Sequence, residues 1–176
     1  MRKIGLMLLA VCAALGYGAQ AQAQQLAAPA QVPDQMPFDI PYGPSITADR
    51  AAQVVAAVVA EAKKSPRNWK LAIAVVDPSG ELVYFYKMDQ TQAASIAIAQ
   101  GKARTAARFR RPSGAFYNLM QTPAGAFAPT LDPTLVASLG GFPLVEGGKL
   151  IGAIGCSGPS GDQDGVACKA GADTVK

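Results

Sequence analysis

The spacing of apolar residues divides the chain beyond residue 44 into a helix, two strands, a helix, two strands and a final helix. The first helix is indicated by five apolar residues at helical spacing: Ala51, Val54, Val55, Val58 and Ala62. Thr47 precedes them as a cap, and Ser65-Pro66 follows as an end signal. The pattern therefore predicts a helix from just after Thr47 to about residue 64.

A first hairpin follows this helix. The run from Trp69 to Asp77 is apolar on both faces, which is typical of an interior strand. Asp77-Pro78-Ser79-Gly80 has Pro and Gly where a turn needs them, and Glu81 to Met88 alternates as the returning strand. Because both faces of this hairpin are apolar, we expect helices or a second subunit to cover them.

A second helix, a second hairpin and a last helix complete the pattern. An alanine-rich segment from Thr91 to about Phe109 predicts a long helix, and residues 115–134 are expected to be irregular or partly helical. Residues 140–158 predict a hairpin that turns at residues 146–149. The last helix is expected from Asp162 to Val175, with Gly161-Asp162 as its cap. Four of its residues are available for the core: Val166, Ala167, Ala170 and Val175.

The first 23 residues have the pattern of a cleavable signal peptide. Arg2-Lys3 precedes an apolar run from Ile4 to Leu15, which small and polar residues follow. The run is shorter than the roughly 20 residues that span a membrane, so we expect cleavage after Ala23 and a periplasmic or secreted product with no membrane span. Residues 24–44 are rich in Pro, Gln and Ala and predict a flexible leader, and residues 45–176 predict one α/β domain.

Composition excludes several classes of function. Removal of Arg2 and Lys3 lowers the formal net charge from +4 to +2, so no strong positive electrostatic field that would attract nucleic acid remains. The chain has no histidine, which excludes a Ser-His-Asp triad and a His-ligated metal. Export would place Cys156 and Cys168 in an oxidising compartment, where they form either a disulfide or two buried thiols.

Short segments from about residue 46 to the C-terminus occur in a recognisable order. They are Ala74-Val75-Val76-Asp77 with Gly80 and Leu82, Met88-Asp89, Lys102-Ala103 with Thr105-Ala106, Gly140-Gly141 with Pro143-Leu144, Gly147 with Ile151-Gly152-Ala153-Ile154-Gly155, and Ser157-Gly158 with Asp164, Ala167 and Ala170-Gly171. Together they resemble the haem-binding family of the GlcG and HbpS proteins and the PduO C-terminal domain, also called the haem-degrading domain family.

The resemblance implies a profilin-like α/β fold, in which an antiparallel sheet is flanked by helices within a single domain. It also implies homo-oligomers, from dimers to octamers, and haem binding by an exported protein, in some members beside a sensor protein. Some relatives use histidine as an iron ligand, and this chain has none to offer. We therefore expect an exported oligomeric protein that binds haem or another tetrapyrrole for sequestration or sensing.

A basic row on the second predicted helix is a candidate site for the carboxylates of such a ligand. Arg104, Arg108 and Arg111 are four and three positions apart, so they share one face if the helix extends that far. Guanidinium groups bind carboxylates through paired hydrogen bonds, which would suit haem propionates or another small carboxylate ligand. A solvated basic face, or a set of salt bridges between subunits, is the alternative interpretation.

Tyrosine and methionine have precedent as axial haem ligands. The candidates for ligating iron are Met88, Met120, Tyr84, Tyr86, Tyr117, Cys156 and Lys102. Tyr84, Tyr86 and Met88 share one face of a predicted strand, a position more typical of the core, although Met88 remains a candidate for contact with the cofactor. Tyr117 lies after the long helix and ranks first as an iron ligand or pocket-lining residue.

Two other classes of function stay open. A small-molecule lyase, isomerase or oxidoreductase would use the family pocket without haem, with Lys102 and Asp89 as candidate acid and base groups near a strand end. No pairing of a nucleophile with a base is recognisable in the sequence. An envelope interaction protein would instead present an oligomer surface to a sensor partner.

Overall fold

A four-stranded antiparallel sheet organises residues 39–66 and 68–176, the part of the chain that the computed structural model describes. The strands lie in the order β2-β1-β4-β3. Their bounds are Ala72–Val76 for β1, Leu82–Lys87 for β2, Gly141–Glu146 for β3 and Lys149–Ser157 for β4. β1 is an interior strand, as its uniformly apolar sequence predicts, and all five of its residues are buried.

Helices cover both faces of this sheet. Their bounds are Ala48–Lys64 for α1, Ser95–Arg108 for α2, Gly114–Met120 for α3 and Gly161–Ala172 for α4, with a 3₁₀ helix at Pro123–Thr130. The helices α1 and α4 share one hydrophobic cluster with the sheet, and the alanines of α2 form a second cluster on the opposite face. The predicted α/β single domain with an antiparallel sheet flanked by helices is therefore confirmed.

Small residues allow α2 to lie unusually close to the sheet. Ala99, Ala103 and Ala106 are completely buried against β1 and β4. Gly155 of β4 faces this helix, and a Cβ atom there would collide with the backbone of Ala99 and Ala103. Because the backbones approach so closely, a long side chain near this contact can extend past the sheet edge into the opposite layer.

Several predicted bounds need correction. α2 begins at Ser95 rather than Thr91, because the Thr91 hydroxyl donates a hydrogen bond to the Met88 carbonyl and closes a turn. α4 is capped by Ser160, whose Oγ accepts from the Gln163 N–H, rather than by Gly161-Asp162, and the helix ends at Ala172. Val166 was expected in the core but is exposed, since it lies on the outer face of α4.

The predicted signal peptide and residues 24–38 of the predicted leader lie outside the described residues. The end of that leader packs beside β4, where Leu150 exchanges backbone hydrogen bonds with Pro41 and Gly43. On β2, Leu82 and Tyr86 remain exposed in the single chain. Coverage of β2 by a second subunit therefore stays a prediction. No helix among the described residues is both long and apolar enough to cross a membrane.

Candidate functional site

A buried ion pair joins the two helical layers at the end of the sheet where β3 begins and β4 ends. Lys102 of α2 is 1% exposed, and its Nζ donates hydrogen bonds to Asp164 Oδ2 at 2.7 Å and to the Cys156 carbonyl at 3.0 Å. Asp164 of α4 is 3% exposed. Gly141 lies against the Lys102 carbonyl with no room for a Cβ atom, so the backbone at the start of β3 contacts α2 directly beside the pair.

The carboxylate of Asp164 is incompletely satisfied. Its Oδ1 atom is buried and has no hydrogen-bond partner among the described residues. Burial raises the pKa of Asp164 above its ordinary value, although the Lys102 ammonium and the Gly158 N–H act in the opposite direction. The Gly158 N–H acts on the pKa of Asp164 without forming a full hydrogen bond to Oδ1, because Oδ1 has no hydrogen-bond partner within the described part of the chain. This pair ties α2 to α4, and Lys102 is therefore not available as an exposed base or iron ligand.

Cys156 and Cys168 form a disulfide that ties β4 to α4 beside the ion pair. Their Cα atoms are 5.6 Å apart, and both residues are completely buried. Of the two alternatives that the sequence left open, the structure has the disulfide. It also removes Cys156 from the candidate iron ligands, because a sulfur atom in a disulfide has no thiolate to donate.

Tyr117 lines a small cavity at the start of α4. The cavity has a volume of about 190 Å³ and is shared with Ser138, Leu139, Gly161 and Asp162. Tyr117 belongs to α3 and is 44% exposed. The first turn of α4 forms the opposite wall, since Gly161 is the first residue of that helix. The highest-ranked sequence candidate therefore lies in a cavity at the end of the sheet.

The segment that contains Tyr117 presents an unusual number of apolar side chains to solvent. Met120 lies three positions after Tyr117 on α3 and is also exposed. Phe127, in the 3₁₀ helix, is 71% exposed, and Leu131 follows as an exposed residue. We name these four residues, Tyr117, Met120, Phe127 and Leu131, the apolar segment. Exposed apolar groups concentrated in one part of a chain are typical of ligand or protein contacts.

The predicted arginine row is wrong as a single helix face, because α2 ends at Arg108. Arg104 and Arg108 do share a face, and both lie against Gly80 in the β1–β2 turn. Arg111 lies beyond the helix end and turns away, with its guanidinium 5.7 Å from the centre of the Phe116 ring. Of the three arginines in the row, Arg111 therefore packs beside Phe116, the residue immediately before Tyr117.

Arg108 has a structural partner. Its guanidinium forms an ion pair with Asp132 at 3.0 Å and donates a hydrogen bond to the Ser79 carbonyl. A hydrogen bond from Thr134 lowers the pKa of Asp132, and Arg108 lowers it further, which favours the ionised pair. These contacts join α2 to the first hairpin turn and to the segment before β3. The sequence-based alternative was a solvated basic face or salt bridges between subunits, whereas the Arg108 ion pair lies within the chain.

The other sequence candidates are dispersed. Met88 is 6% exposed and packs in the core with α1 and α4, so the structure places it away from any accessible ligand surface. Asp89 is exposed in the turn after β2, whereas Lys102 pairs with Asp164, and the structure shows no contact that would make Lys102 and Asp89 an acid–base pair. Tyr84 is half-buried against the core and Tyr86 is exposed on β2.

Sequence reasoning missed Asp164 as the partner of Lys102, and it missed the cavity walls at Ser138 and Gly161. An aspartate in the first turn of a helix is ordinarily explained by the helix dipole, so the position of Asp164 indicated no further role. The matching blocks did contain both Lys102 and Asp164. Two charged residues in otherwise small and apolar surroundings are a usable signal for a buried pair.

The donor set fits a haem only in part. Tyr117 is partly exposed and its side chain has precedent as a haem ligand, and the exposed apolar residues of the apolar segment suit contact with a porphyrin face. The cavity beside Tyr117 is smaller than the roughly 300–1,000 Å³ usual for small-molecule sites, so it would take the edge of such a ligand rather than enclose it. No cluster of three Cys, Asp or Glu side chains able to hold a metal ion occurs within residues 39–66 and 68–176.

Residues 46–173 match the family model described as haem degrading protein HbpS-like. The chain belongs to this HbpS-like family. Within the family it is similar to protein GlcG of Escherichia coli strain K12, with 37% identity over 107 residues that cover 61% of this chain and 77% of GlcG.

Solved structures agree with this HbpS-like assignment. A crystal structure of a double mutant of Streptomyces reticuli HbpS has a TM-score of 0.67 and 28% identity, and the match covers 85% of this chain and 99% of that one. A haem complex of PduOC has a TM-score of 0.68 over 75% of this chain and 96% of that one. Its identity is 22%, so this likeness shows the shared fold alone.

Proposed function

We propose that the chain is an exported oligomeric protein that binds haem or another tetrapyrrole for sequestration or sensing, at the surface around Tyr117. The observation that carries the proposal is that Tyr117 is exposed and lines a cavity, on a segment whose apolar side chains are also exposed. Family membership makes haem the ligand of choice.

Each part of this surface suits one part of a tetrapyrrole. Tyr117 would ligate the iron through its phenolic oxygen, and the exposed Met120 on the same helix would contact the apolar ring. Arg111, packed over Phe116, would pair with a propionate. A bound haem supplies one-electron chemistry at its iron, which suits a sensing role. The buried Lys102–Asp164 pair supports this surface by fixing α4 against α2.

Export and oligomerisation are part of the same proposal. The N-terminal pattern of residues 1–23 and the Cys156–Cys168 disulfide both favour an oxidising compartment outside the cytoplasm. The apolar side chains exposed on β2, Leu82 and Tyr86, favour contact with a second copy of the chain. N-terminal sequencing of the exported protein should find Gln24 first, and light scattering should find a mass above one subunit.

A spectroscopic comparison of two tyrosine variants tests the site. Tyr117→Phe should shift the absorption bands of bound haemin and weaken its binding at least tenfold, because the iron loses its oxygen ligand. Tyr86→Phe is the matched control, since Tyr86 is 42% exposed against 44% for Tyr117 but lies on β2. Identical haemin spectra for the wild type and Tyr117→Phe would exclude Tyr117 as the ligand.

A further inference from the structure

A second cavity is lined in part by the loop that precedes α4. It has a volume of about 540 Å³, within the usual range for small-molecule sites, and it shares no lining residue with the cavity beside Tyr117. Three separate parts of the chain line it: the segment before β1, the turn after β2, and the loop into α4. Convergence of distant segments on one concavity is a feature of built binding sites.

The polar side chains of this cavity are almost all carboxamides. They come from Asn68, Gln90, Gln92 and Gln163. Carboxamides donate and accept hydrogen bonds in the same group, as the hydroxyl groups of a sugar also do. Trp69 contributes an aromatic surface, and Lys70 is the one charged side chain among the described lining residues. The chemistry therefore matches a polyhydroxylated ligand that has one acidic group.

The backbone of the cavity is held in conformations that glycine would adopt more easily. Gln90 has a φ of 63° and Asn68 a φ of 46°, both in the left-handed region. Asparagine tolerates this region better than most residues, but glutamine does not. Glycine would avoid the steric strain, because it has no Cβ atom. Retention of a glutamine side chain at such a position is explained if its carboxamide is used.

A hydrogen bond, a close backbone contact and the disulfide hold the cavity walls in place. The Gln92 side chain donates a hydrogen bond of 3.0 Å to the Gly158 carbonyl, which joins the turn after β2 to the loop before α4. A Cβ atom on Gly158 would collide with the Lys70 carbonyl, so these two walls are in direct contact. The disulfide at Cys156 anchors the same loop two residues earlier. The backbones of these walls and the Gln92 carboxamide are therefore held in place before a ligand binds.

We propose that this cavity is a binding site for a small sugar acid, such as a uronic acid, with the carboxylate paired to Lys70 and the hydroxyl groups bonded to the carboxamides. The site is independent of the haem proposal. Neither site requires the other to be filled.

The cavity has its own reporter, because Trp69 is the single tryptophan of the chain. Titration of the processed protein with D-glucuronate, followed by tryptophan fluorescence and by calorimetry on the same solution, should show saturable binding. D-glucose should bind at least tenfold more weakly, and Lys70→Met should abolish that preference. Equal affinity for glucose and glucuronate in the wild type, equal affinity for acetate and glucuronate, or no heat and no fluorescence change would overturn the proposal.

A glycine variant separates binding from folding. Gln90→Gly should raise the melting temperature, because it relieves the left-handed backbone, and should weaken glucuronate binding at least tenfold. Arg110→Gly is the control, since Arg110 has a φ of 51° but does not line the cavity, and it should leave the titration unchanged. Full affinity in Gln90→Gly would contradict a role for this side chain and would overturn the proposal. The readout needs no haem, so it remains informative if haemin fails to bind.

Discussion

Replacement of Lys102 by methionine should destabilise the protein far more than the loss of an exposed ion pair. Methionine keeps most of the length of the side chain but leaves Asp164 as a buried carboxylate without its partner. Breaking a buried pair in this way costs about 3–5 kcal/mol, a large part of the roughly 5–15 kcal/mol that stabilises a typical domain. Lys169→Met is the matched control, because the Lys169–Asp173 pair is exposed and its loss should cost less than about 1 kcal/mol.

The penalty for Lys102→Met should depend on pH with a definite sign. Burial already raises the pKa of Asp164, and the variant removes the Lys102 hydrogen bond and charge that oppose this rise. When the pKa of a carboxyl group is higher in the folded state than in the unfolded state, the group stabilises the fold. This stabilisation is complete below the unfolded-state pKa and is lost as the pH rises through the folded-state pKa. The variant should therefore lose more stability, relative to wild type, at about pH 7 than at about pH 4.

Urea denaturation of the oxidised protein at the two pH values measures this difference. The double variant Lys102→Met with Asp164→Asn should regain at least half of the lost free energy of unfolding, because no unpaired charge then remains buried. A loss below about 1 kcal/mol for Lys102→Met, equal at both pH values, would refute the assignment of a buried, charged pair.

Three further predictions concern the scaffold. Gly155→Ala should destabilise the protein by at least about 1–3 kcal/mol in urea denaturation, because the added methyl group overlaps the α2 backbone, whereas Gly165→Ala in α4 has room and should be neutral or stabilising. Equal effects would contradict the close approach of α2. Replacing Cys156 and Cys168 together by alanine should lower the free energy of unfolding by about 2–4 kcal/mol, and a change below about 1 kcal/mol would mean that packing alone holds α4. Partial burial raises the pKa of Asp77, but hydrogen bonds from the first hairpin turn lower it overall. Asp77→Ala should therefore lower the free energy of unfolding by about 1 kcal/mol at neutral pH, and by less as the pH falls through the folded-state pKa. A loss that is independent of pH would contradict this.

Local signals made most of the fold predictable. The Thr47 cap and the apolar spacing after it fix the start of α1, which begins at Ala48. The two hairpins follow from Asp77-Pro78-Ser79-Gly80 and from the turn at Gly147-Gly148, because turn residues of this kind constrain the backbone directly. Errors occurred at helix ends, where the Thr91 side chain bonds the backbone before α2 begins.

The candidate site was less predictable because it depends on contacts between distant segments. Lys102 and Asp164 are 62 positions apart, and only the packing of α2 and α4 at one end of the sheet brings them together. Tyr117 could be ranked by its chemistry, but its cavity requires the segment before β3 and the first turn of α4. The arginine row failed at Arg111 because Arg110 adopts a left-handed conformation beyond the helix end, which redirects the chain.

The central claim is that the surface around Tyr117 binds haem, and a haemin titration of the processed protein tests it most directly. Absorbance in the Soret region should change and saturate near one haem per subunit or per subunit pair, and Tyr117→Phe should alter the bands of the complex whereas Tyr86→Phe should not. A change that rises without saturation, or that is the same with an unrelated protein of similar charge, would contradict the account.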